Sequence, residues 1–453
     1  MKVSANTIIF IVILILGSCF GNLSQTALNA MFTGIAADFD VDVELGQWVT
    51  TIYMLVLGIT VPVVTFLMKR FSAKDIVLGA LSLLVLGSTL DLFAWDFTSL
   101  IIGRVMQAIS AGITMPMMMT EIMISFPEGK QATVMGIAGI AMGFAPNIGP
   151  TIGGWLIGVA GWRSFFFLLS IASIILFLCA LAFVKVASKK NEEAKFEALS
   201  FILSAIGFGG LLLGFSNASS YSLVSPFVWL PLLVGAIALA LFVYRQKHVE
   251  NPLINLTIFS SRRFRVSFWA GNFLFASYMG ITLILPLFIE GLWGGSALEA
   301  GLALLPGTFA AFFINPIAGY LTDKIGARPV IVIASCFLFA GATSMSFVNE
   351  TSPFWLIVCM QGLRAIGVSG LISPLTSWGM ANLPHEIMGD ASSFSTATRQ
   401  ACASMGTALM VFAVTVIPDL GFTELFGYQM AFALSALFAF LMLMSAVLWV
   451  RSK

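Results

Sequence analysis

Among the charged side chains within or at the ends of long apolar stretches of this 453-residue chain, six are candidates for chemistry. They are three arginines and three carboxylates: Arg104, Arg364, Arg399, Glu121, Glu290 and Asp390. A charge near the centre of a bilayer costs about 2.5–3.5 kcal/mol on insertion scales, so such groups are expected to face a cavity or a partner. Carboxylates in such places can exchange protons, and a nearby cation lowers their pKa. We interpret Glu121 and Glu290 as titrating groups tuned by Arg104, and Asp390 as a further proton-coupling candidate.

The candidate acid Glu121 ends a polar stripe within one apolar stretch. At about 100° per residue, Gln107, Thr114 and Glu121 nearly line up on a helix, with Ser110 and Arg104 beside them. We expect Gln107 and Thr114 to contact a substrate. Glu121 is either a titratable group at the inner mouth of a cavity or an interfacial glutamate that reaches water.

A second polar stripe lies near the N-terminus. Ser18, Asn22, Gln25 and Asn29 recur at spacings of four, three and four residues, which places them on one helix face. Asn22, Gln25 and Asn29 are therefore predicted substrate contacts.

Asn272 and Glu290 are 18 residues apart, which is five full helical turns, so they are predicted to share a face. Asn272 is a further predicted substrate contact. Glu290 could hold a proton or a cationic ligand near the outer end of a cavity, or could be a loop acid. Asp390 follows Gly389 at the predicted start of a helix, where the helix N-terminus stabilises an anion.

Two arginines have polar neighbours at helical spacing. Gln361 precedes Arg364 by three residues, and Thr396 precedes Arg399 by three. Gln361, Arg364 and Arg399 are predicted substrate contacts. Because arginine stays charged, we expect carboxylate, carbonyl or anion partners that the spacing does not identify.

The elements that position these residues are membrane-spanning helices. The composition is 59% hydrophobic and 9% charged, with a mean hydropathy of +1.00, and a bilayer can accept that much apolar surface. Backbone polar groups inside lipid must be satisfied within the segment, so the stretches are helices and the protein is all-α. We predict fourteen spans, numbered 1 to 14 in chain order: 8–30, 45–67, 75–94, 99–123, 132–157, 164–184, 198–216, 226–245, 267–289, 297–318, 329–348, 354–377, 389–414 and 427–450.

The basic residues indicate the orientation. Of the 22 lysines and arginines, 18 fall on the side that carries both termini, which the positive-inside rule makes cytoplasmic. These are Lys2, Lys69, Arg70, Lys74, Lys130, Lys185, Lys189, Lys190, Lys195, Arg245, Lys247, Arg262, Arg263, Arg265, Lys324, Arg328, Arg451 and Lys453. The opposite loops are predicted to carry the acids Asp38, Asp40, Asp42, Glu44, Asp91 and Asp96. The charged residues are distributed among the loops as topology signals, so the net charge of +1 indicates no nucleic-acid partner.

The first span could be a cleaved signal peptide, but its apolar core is long and no small-residue cleavage pattern follows, which favours a retained helix. The five cysteines fall in spans without metal-ligand spacing. We expect no cofactor or metal.

The chain divides into two related halves around a helix pair. Gly112 to Pro116 of span 4 matches Gly370 to Pro374 of span 12, and the loop 67–74 has the outline of the loop 321–328. We predict a six-helix bundle at 1–197, a two-helix insertion at 198–250 and a second six-helix bundle at 251–453. Repeated halves are typical of alternating-access transporters.

Several segments together resemble the major facilitator superfamily, and more narrowly its fourteen-helix drug:proton antiporters, the multidrug and lincomycin-type exporters. The segments are Gly319 to Arg328, Arg104 to Gly112, Gly143 to Gly154, Ser296 to Gly301 with Pro306, and Thr398 to Gln400. The resemblance covers nearly the whole chain. It implies a major facilitator fold and a monomer in the cell membrane, of the bacterial cytoplasmic type. It also implies exchange of small-molecule drugs for protons.

The span 5 motif is rich in glycine and proline: Gly143, Pro146, Gly149, Pro150, Gly153 and Gly154. Glycines let helices approach closely and prolines bend them, which suits two halves that rock against one another. Plain tight packing is the alternative. Asn147, within this motif, is a further predicted substrate contact.

The loop motif places Asp323 among basic residues at a cytoplasmic helix end, with Gly319, Gly326 and Arg328 as its other characteristic positions. We interpret Asp323 as a latch that pairs in one conformation, although a topology signal alone would look the same. In the first half Lys69 stands where the family usually has the aspartate, so we expect a latch only in the second half. Span 1 has Ser24 where many relatives have an aspartate, so the proton carrier is expected elsewhere.

The most favoured function is export of hydrophobic, often cationic, drugs driven by proton entry. A lipid or metabolite exporter of the same fold is one alternative, and a membrane sensor that does not transport is another. An enzyme is disfavoured because the only histidines, His248 and His385, lie in predicted loops and no phosphate-loop or metal pattern is present.

Overall fold

A computed structural model describes residues 4–185, 196–218, 221 and 225–451, and the regular structure within these ranges is entirely helical. The predicted topology residues Lys2, Lys189, Lys190, Lys195 and Lys453, and the side chain of Glu44, lie outside this description. In the part described, thirteen helices are long and apolar enough to cross a membrane, and one bent helix pair completes a set of fourteen. The prediction of fourteen spans is confirmed.

The helices of spans 1 to 14 have the following bounds: Ala5–Ala30, Trp48–Thr60 with Val63–Arg70, Ala73–Leu92, Phe97–Ser125, Gln131–Ala160, Arg163–Phe183, Ala198–Asn217, Pro226–Gln246, Arg262–Leu292, Ala297–Ile325, Ala327–Met345, Phe354–Met380, His385–Asp419 and Glu424–Trp449. Short helices at Phe32–Asp38 and Val43–Gly46 connect the first two spans, and a 3₁₀ turn at Leu256–Ser260 precedes span 9. Span 2 bends by 50° beside Pro62, as expected where a proline interrupts a helix.

Three spans contain local changes of helical pitch. Span 1 tightens into a 3₁₀ turn at Leu28–Ala30, and wider π turns occur at Ile140–Phe144 in span 5 and Phe288–Leu292 in span 9. In span 5 the cause is Pro146, because its missing N–H leaves the Met142 carbonyl without its usual partner four residues later. Each change of pitch rotates the residues beyond it relative to a regular helix.

The helices pack as two sets of six with a pair between them. Spans 1 to 6 pack on one another and so do spans 9 to 14, while span 5 meets spans 10 and 12, and span 4 meets span 13, across the central interface. Span 7 lies against span 8, span 2 and span 13. We propose on this basis the domain division at residues 197 and 250 that the sequence predicted.

The pair of spans 7 and 8 is held by close backbone contact and a polar clamp. A methyl group on Gly210 would lie 2.9 Å from the Gly235 Cα, so the two helices meet through glycine. At one end of the pair, Arg245 Nη2 lies 2.7 Å from Glu197 Oε1. The carboxylate of Glu197 also accepts from the backbone N–H of Ser200 at 2.9 Å. Its hydrogen bonds with Arg245 and Ser200 lower the pKa of Glu197 to about 2.

Because the spans alternate in direction, the described lysines and arginines of the topology set lie at one end of the bundle, which we call the basic face. Residues 4 and 451 lie at the same end. Large apolar side chains such as Leu233, Ile237 and Leu241 of span 8 are exposed on the perimeter, as a lipid-facing surface requires.

Candidate functional site

A cavity of about 370 Å³ lies at the basic face between the two halves. Its walls come from spans 2, 3 and 4 of the first half and from the start of span 13 of the second. The lining residues are Thr65, Met68, Lys69, Ala73, Ile76, Met117, Thr120, Glu121, Ile124, His385, Glu386, Gly389 and Asp390. The structure therefore brings together two of the predicted proton-coupling residues, Glu121 and Asp390, which are 269 positions apart in the chain.

Asp390 makes an ion pair across the interface. Its side chain is fully buried, and its Oδ1 lies 3.2 Å from the Nζ of Lys69, whose side chain is 39% exposed. Asp390 Oδ2 has no hydrogen-bond partner in the described part of the chain. The helix begins at His385, which places Asp390 in its second turn, beyond the reach of the helix N-terminus that the sequence suggested as its stabiliser.

This ion pair corrects the expectation that only the second half carries a latch. Lys69 occupies the position at which the family pattern has an acid, and the acid is supplied instead by Asp390 of the opposite half. The first half therefore contributes a basic side chain to this contact between the halves, and the second half contributes the acid.

Glu121 lies half-buried in the same cavity, and its carboxylate makes no hydrogen bond or ion pair with any described residue. The apolar side chains of Met117 and Ile124 lie beside it in the wall. The preceding residue, Thr120, joins the two halves through a hydrogen bond of 2.5 Å between its Oγ1 and Ser392 Oγ. Glu121 is thus an acid without a partner among the described residues, beside a contact between the two halves.

The second-half latch contacts the start of span 5. Asp323 Oδ2 accepts from the backbone N–H of Thr133 at 2.7 Å and from its hydroxyl at 2.6 Å, while Oδ1 accepts from the backbone N–H of Ala132 at 3.2 Å. A carboxylate in this position is stabilised by the helix N-terminus. Gly319 packs directly on the Ala132 backbone, where a side chain would overlap it.

The remaining residues of that loop have different environments. Gly326 has a φ of 92°, which a residue with a side chain rarely adopts, and it allows span 10 to turn sharply into span 11. Arg328 is exposed and makes no hydrogen bond or ion pair with another described residue.

The glycines of the span 5 motif pack against two different partners, the other half and span 1. Gly143 faces the other half, where a methyl group would lie 3.2 Å from both Ala311 Cβ and Asn315 Nδ2. Gly149 and Gly153 pack on Thr26 and Ala27 of span 1, within their own half. A methyl group on Gly154 would lie 4.0 Å from Ala30 Cβ, which is an ordinary contact, and Pro146 and Pro150 are half-buried. Tight packing accounts for the span 1 contacts, whereas Gly143 lies at the surface along which the halves meet.

Arg104 lies in a separate polar cluster, fully buried among spans 1 to 4. Its Nη1 donates to Ser24 Oγ at 2.6 Å and to Gln107 Oε1 at 2.8 Å, its Nη2 donates to the Ser24 carbonyl at 3.1 Å, and its Nε donates to the Val49 carbonyl at 3.1 Å. The guanidinium also lies 4.3 Å from the ring centroid of Tyr53. Arg104 and Glu121 are 17 residues apart on one helix, or about 26 Å, so Arg104 does not tune Glu121 as predicted.

The sequence interpretation missed the acid of this cluster. Asp91, which was assigned to a loop, lies in the last turn of span 3 and is fully buried. Its Oδ2 accepts from Gln107 Nε2 at 2.7 Å. The available signal was its position inside the predicted span 75–94, which should have outweighed its nearness to the span end.

The second-half arginines lie near aromatic rings. Arg364 Nε donates to Gln361 Oε1 at 2.9 Å, and its guanidinium lies 5.9 Å from the Tyr278 ring. The Tyr278 hydroxyl crosses the interface and donates to Asn147 Oδ1 at 3.0 Å. Arg399 Nη1 donates to Thr376 Oγ1 at 3.3 Å. Within the described residues neither arginine contacts a carboxylate.

Several of the predicted substrate contacts do not lie together in one site. Asn22 Nδ2 donates to the Ser18 carbonyl of its own helix at 2.9 Å, and Gln25 is half-buried. Asn29 is exposed because the 3₁₀ turn at Leu28–Ala30 ends the predicted stripe. Thr114 is buried, with its hydroxyl 3.4 Å from the carbonyl of Ala111 one turn earlier.

Asn272 and Glu290 lie in different environments. Asn272 is buried, with its Oδ1 unpartnered among the described residues, whereas Glu290 is exposed. The prediction assumed a regular helix, but span 9 is broken after Tyr278 and contains the π turn at Phe288–Leu292. Because each irregularity changes the rotation per residue, a spacing of 18 residues does not place Asn272 and Glu290 on a common face.

Fourteen spans in two six-helix sets, which meet along a central interface, define a multi-span membrane transporter. The sequence profile of the Major Facilitator Superfamily matches residues 14–407, and the chain belongs to this family. It is therefore a multi-pass protein of the cell membrane.

Similar proteins include two from Bacillus subtilis (strain 168). The uncharacterized MFS-type transporter YcnB is 35% identical over 410 residues, which cover 90% of this chain and 86% of that protein. The lincomycin resistance protein LmrB is 31% identical over 400 residues, which cover 88% of this chain and 83% of that protein. The crystal structure of the human organic anion transporter MFSD10 superposes with a TM-score of 0.67 at 11% identity, covering 98% of this chain and 100% of that one, and supports the fold alone.

Proposed function

We propose that the protein is a proton-coupled efflux antiporter that exports hydrophobic and cationic drugs by alternating access. The observation that carries this proposal is the cavity between the halves. It contains three carboxylates, Glu121, Glu386 and Asp390, against the single lysine Lys69, and its other walls include Met117. An acidic cavity with flexible apolar walls suits cations of varied shape. The similarity to a lincomycin resistance protein supports drug export.

We place the basic face in the cytoplasm, following the positive-inside rule. With that orientation, the Lys69–Asp390 pair and the contact of Asp323 with Thr133 both hold the halves together on the cytoplasmic side. Export then requires both contacts to break, so that the acidic cavity opens to drug from the cytoplasm.

In the proposed cycle, drug and proton compete for the cavity carboxylates. A deprotonated Glu121 attracts a cationic drug, and protonation removes that attraction and favours release. A proton on Asp390 removes the negative partner of Lys69, which weakens the cytoplasmic contact. Proton binding and opening are thereby linked through the same residue.

The proton-coupling set is revised accordingly. We retain Glu121 and Asp390. Glu290 is left out, because it is exposed whereas Asn272 of the same span is buried. We propose that Asn147, Gln361, Arg364 and Arg399 contribute to the substrate path nearer the middle of the membrane, where Asn147 and Tyr278 already join the two halves.

The proposal is tested in inverted membrane vesicles with an acidified interior and a pH-sensitive dye. Ethidium, norfloxacin and lincomycin are added in turn. We expect proton release that requires the protein. Release with none of the three compounds would contradict drug export and would direct the search to lipids or metabolites.

The assignment of Glu121 is tested by Glu121→Gln, with Glu128→Gln as the matched control. Both acids lie toward the basic face of the same half, but Glu128 is exposed and outside the cavity. We expect Glu121→Gln to abolish drug-dependent proton release at normal membrane expression and Glu128→Gln to preserve it. Normal coupling in Glu121→Gln would remove this residue from the mechanism.

A further inference from the structure

A second buried acid lies far from the cavity, toward the face opposite the basic one. It is Asp91, whose Oδ2 accepts from Gln107 Nε2, while its Oδ1 has no hydrogen-bond partner among the described residues. Gln107 in turn accepts from Arg104 and from Ser24 Oγ, the latter at 2.6 Å. Asp91 and Arg104 are both fully buried, and the Gln107 carboxamide bridges them.

Two glycines, Gly87 and Gly103, pack around Asp91 Oδ1, the oxygen without a hydrogen-bond partner. A methyl group on Gly103 would overlap Asp91 Oδ1 and would lie 2.8 Å from the carbonyl oxygen of Gly87. A methyl group on Gly87 would lie 2.6 Å from the Gly103 carbonyl oxygen. Spans 3 and 4 therefore meet through two glycines, and the carboxylate lies in the space that their missing side chains leave. The free oxygen of Asp91 and the carbonyl oxygen of Gly87 thus border the same small space beside Gly103, and two such oxygens can share a hydrogen bond only if the carboxyl group carries a proton.

Few charged groups surround Asp91 in the described structure. Span 4 contributes Arg104, span 2 contributes the phenol of Tyr53, which donates to the Gly21 carbonyl at 2.7 Å, and span 1 contributes the neutral Ser24. Span 6 contributes Ser173, which lies 3.3 Å from Ser88 of span 3.

Beyond the end of span 3, Arg163 donates to the Ala94 carbonyl at 3.2 Å and lies 2.6 Å from Asp38. Its charge is thus already paired by an exposed acid. The protonation state of Asp91 consequently changes the charge of a cluster in which Arg104 is the one other buried ion.

We propose that Asp91 is a proton-binding residue of the transport cycle, loaded from the face opposite the basic one. This inference rests on the proposed function, which supplies the proton gradient. When Asp91 is ionised, the cluster of Asp91 and Arg104 is neutral. When a proton binds Oδ1, the cluster carries one positive charge, and Oδ1 becomes a hydrogen-bond donor in a space that the Gly87 carbonyl oxygen also borders.

The hydrogen bonds of the cluster connect proton binding at Asp91 to four helices, spans 1 to 4. Arg104 is bound to Ser24 and its carbonyl in span 1 and to the Val49 carbonyl in span 2, so a change in its electrostatic balance acts on both. Gln107 and Glu121 lie 14 residues apart on span 4, or about 21 Å, with the buried Ser110, Thr114 and Thr120 between them. Asp91 and the acidic cavity are thus two acid sites at opposite ends of one polar helix.

The test uses Asp91→Asn in the purified full-length protein, with Ser88→Ala as the matched control. Ser88 is a buried polar residue one turn earlier in the same helix that carries no acid. Size-exclusion profile and thermal melting establish that each variant is folded. The first readout is the protonated-carboxyl band in pH-difference infrared spectra, which does not require transport.

We expect Asp91→Asn to remove one titrating carboxyl band and Ser88→Ala to retain it. In vesicles, we expect Asp91→Asn to lose drug-dependent proton release while equilibrium binding of ethidium is retained and becomes insensitive to the pH of the opposite face. A second variant, Gly103→Ala, displaces the carboxyl group without removing it, and should shift the pH midpoint of the band.

An infrared difference spectrum that is identical in wild type and Asp91→Asn would overturn the inference, as would full coupling in this variant. If wild type shows no drug-linked proton release but the Asp91 band titrates, the drug-export proposal fails and the proton site stands. The two failures are therefore distinguishable.

Discussion

Removing Lys69 should open the basic face more than removing its partner, because the two members of the pair are buried to different extents. Two unit charges 3.2 Å apart interact by about 5 kcal/mol at an effective dielectric constant of about 20. Lys69→Met leaves Asp390 as a fully buried, unpaired carboxylate, whereas Asp390→Asn leaves a lysine that is already 39% exposed to water. Breaking a buried pair in the first way costs about 3–5 kcal/mol, which partial exposure of Lys69 reduces to about 2–3 kcal/mol.

A change of about 2.8 kcal/mol shifts a two-state equilibrium about 100-fold. We therefore expect Lys69→Met to move the protein toward the conformation that is open at the basic face, and Asp390→Asn to do so by about 1 kcal/mol or less. Acidic pH should partly restore the closed form of Lys69→Met, because protonation of Asp390 removes its unpaired charge.

The assay is electron–electron resonance between spin labels at positions 128 and 451, which are exposed at the basic face in opposite halves. The double variant Lys69→Met with Asp390→Asn should resemble Asp390→Asn alone, which a double-mutant cycle measures as coupling between the two sites. Equal distance distributions in the two single variants, or additive effects in the double variant, would refute this reasoning.

Two further outcomes are expected. Asp323→Asn weakens the contact with the start of span 5, because a neutral amide replaces the carboxylate that accepts from Thr133. Label distances at the basic face should lengthen in Asp323→Asn, by less than in a variant that also carries Thr133→Val. The Glu197–Arg245 contact should stabilise the pair of spans 7 and 8 above the ordinary Glu197 pKa of 4.5 and lose that effect as the pH falls toward about 2. Because both side chains are partly exposed, we expect this stabilisation to be small, and acid titration of thermal stability in Glu197→Gln against wild type measures it.

Several individual residues of the candidate site could be predicted from the sequence, but their grouping into one site could not. Glu121 and Asp390 stood out because each is an acid in an apolar stretch, and Asp323 stood out through its loop motif. Their partners could not be predicted, because Lys69 is 321 positions from Asp390 and Thr133 is 190 positions from Asp323. Glu290 was misplaced because helical spacing extrapolates a regular pitch, and span 9 does not keep one.

The sequence by itself determined the number of spans and the membrane location. Both follow from a local requirement, since each segment inside lipid must be apolar over about 20 residues and must satisfy its own backbone. Tertiary structure alone decided that Lys69 pairs with Asp390 of the other half and that Asp91 is buried in one cluster with Arg104. The physical reason is that a buried charge is stabilised by whichever group packing brings close, and packing between helices depends on distant glycines such as Gly87 and Gly103, whose spacing along the chain does not reveal what they face.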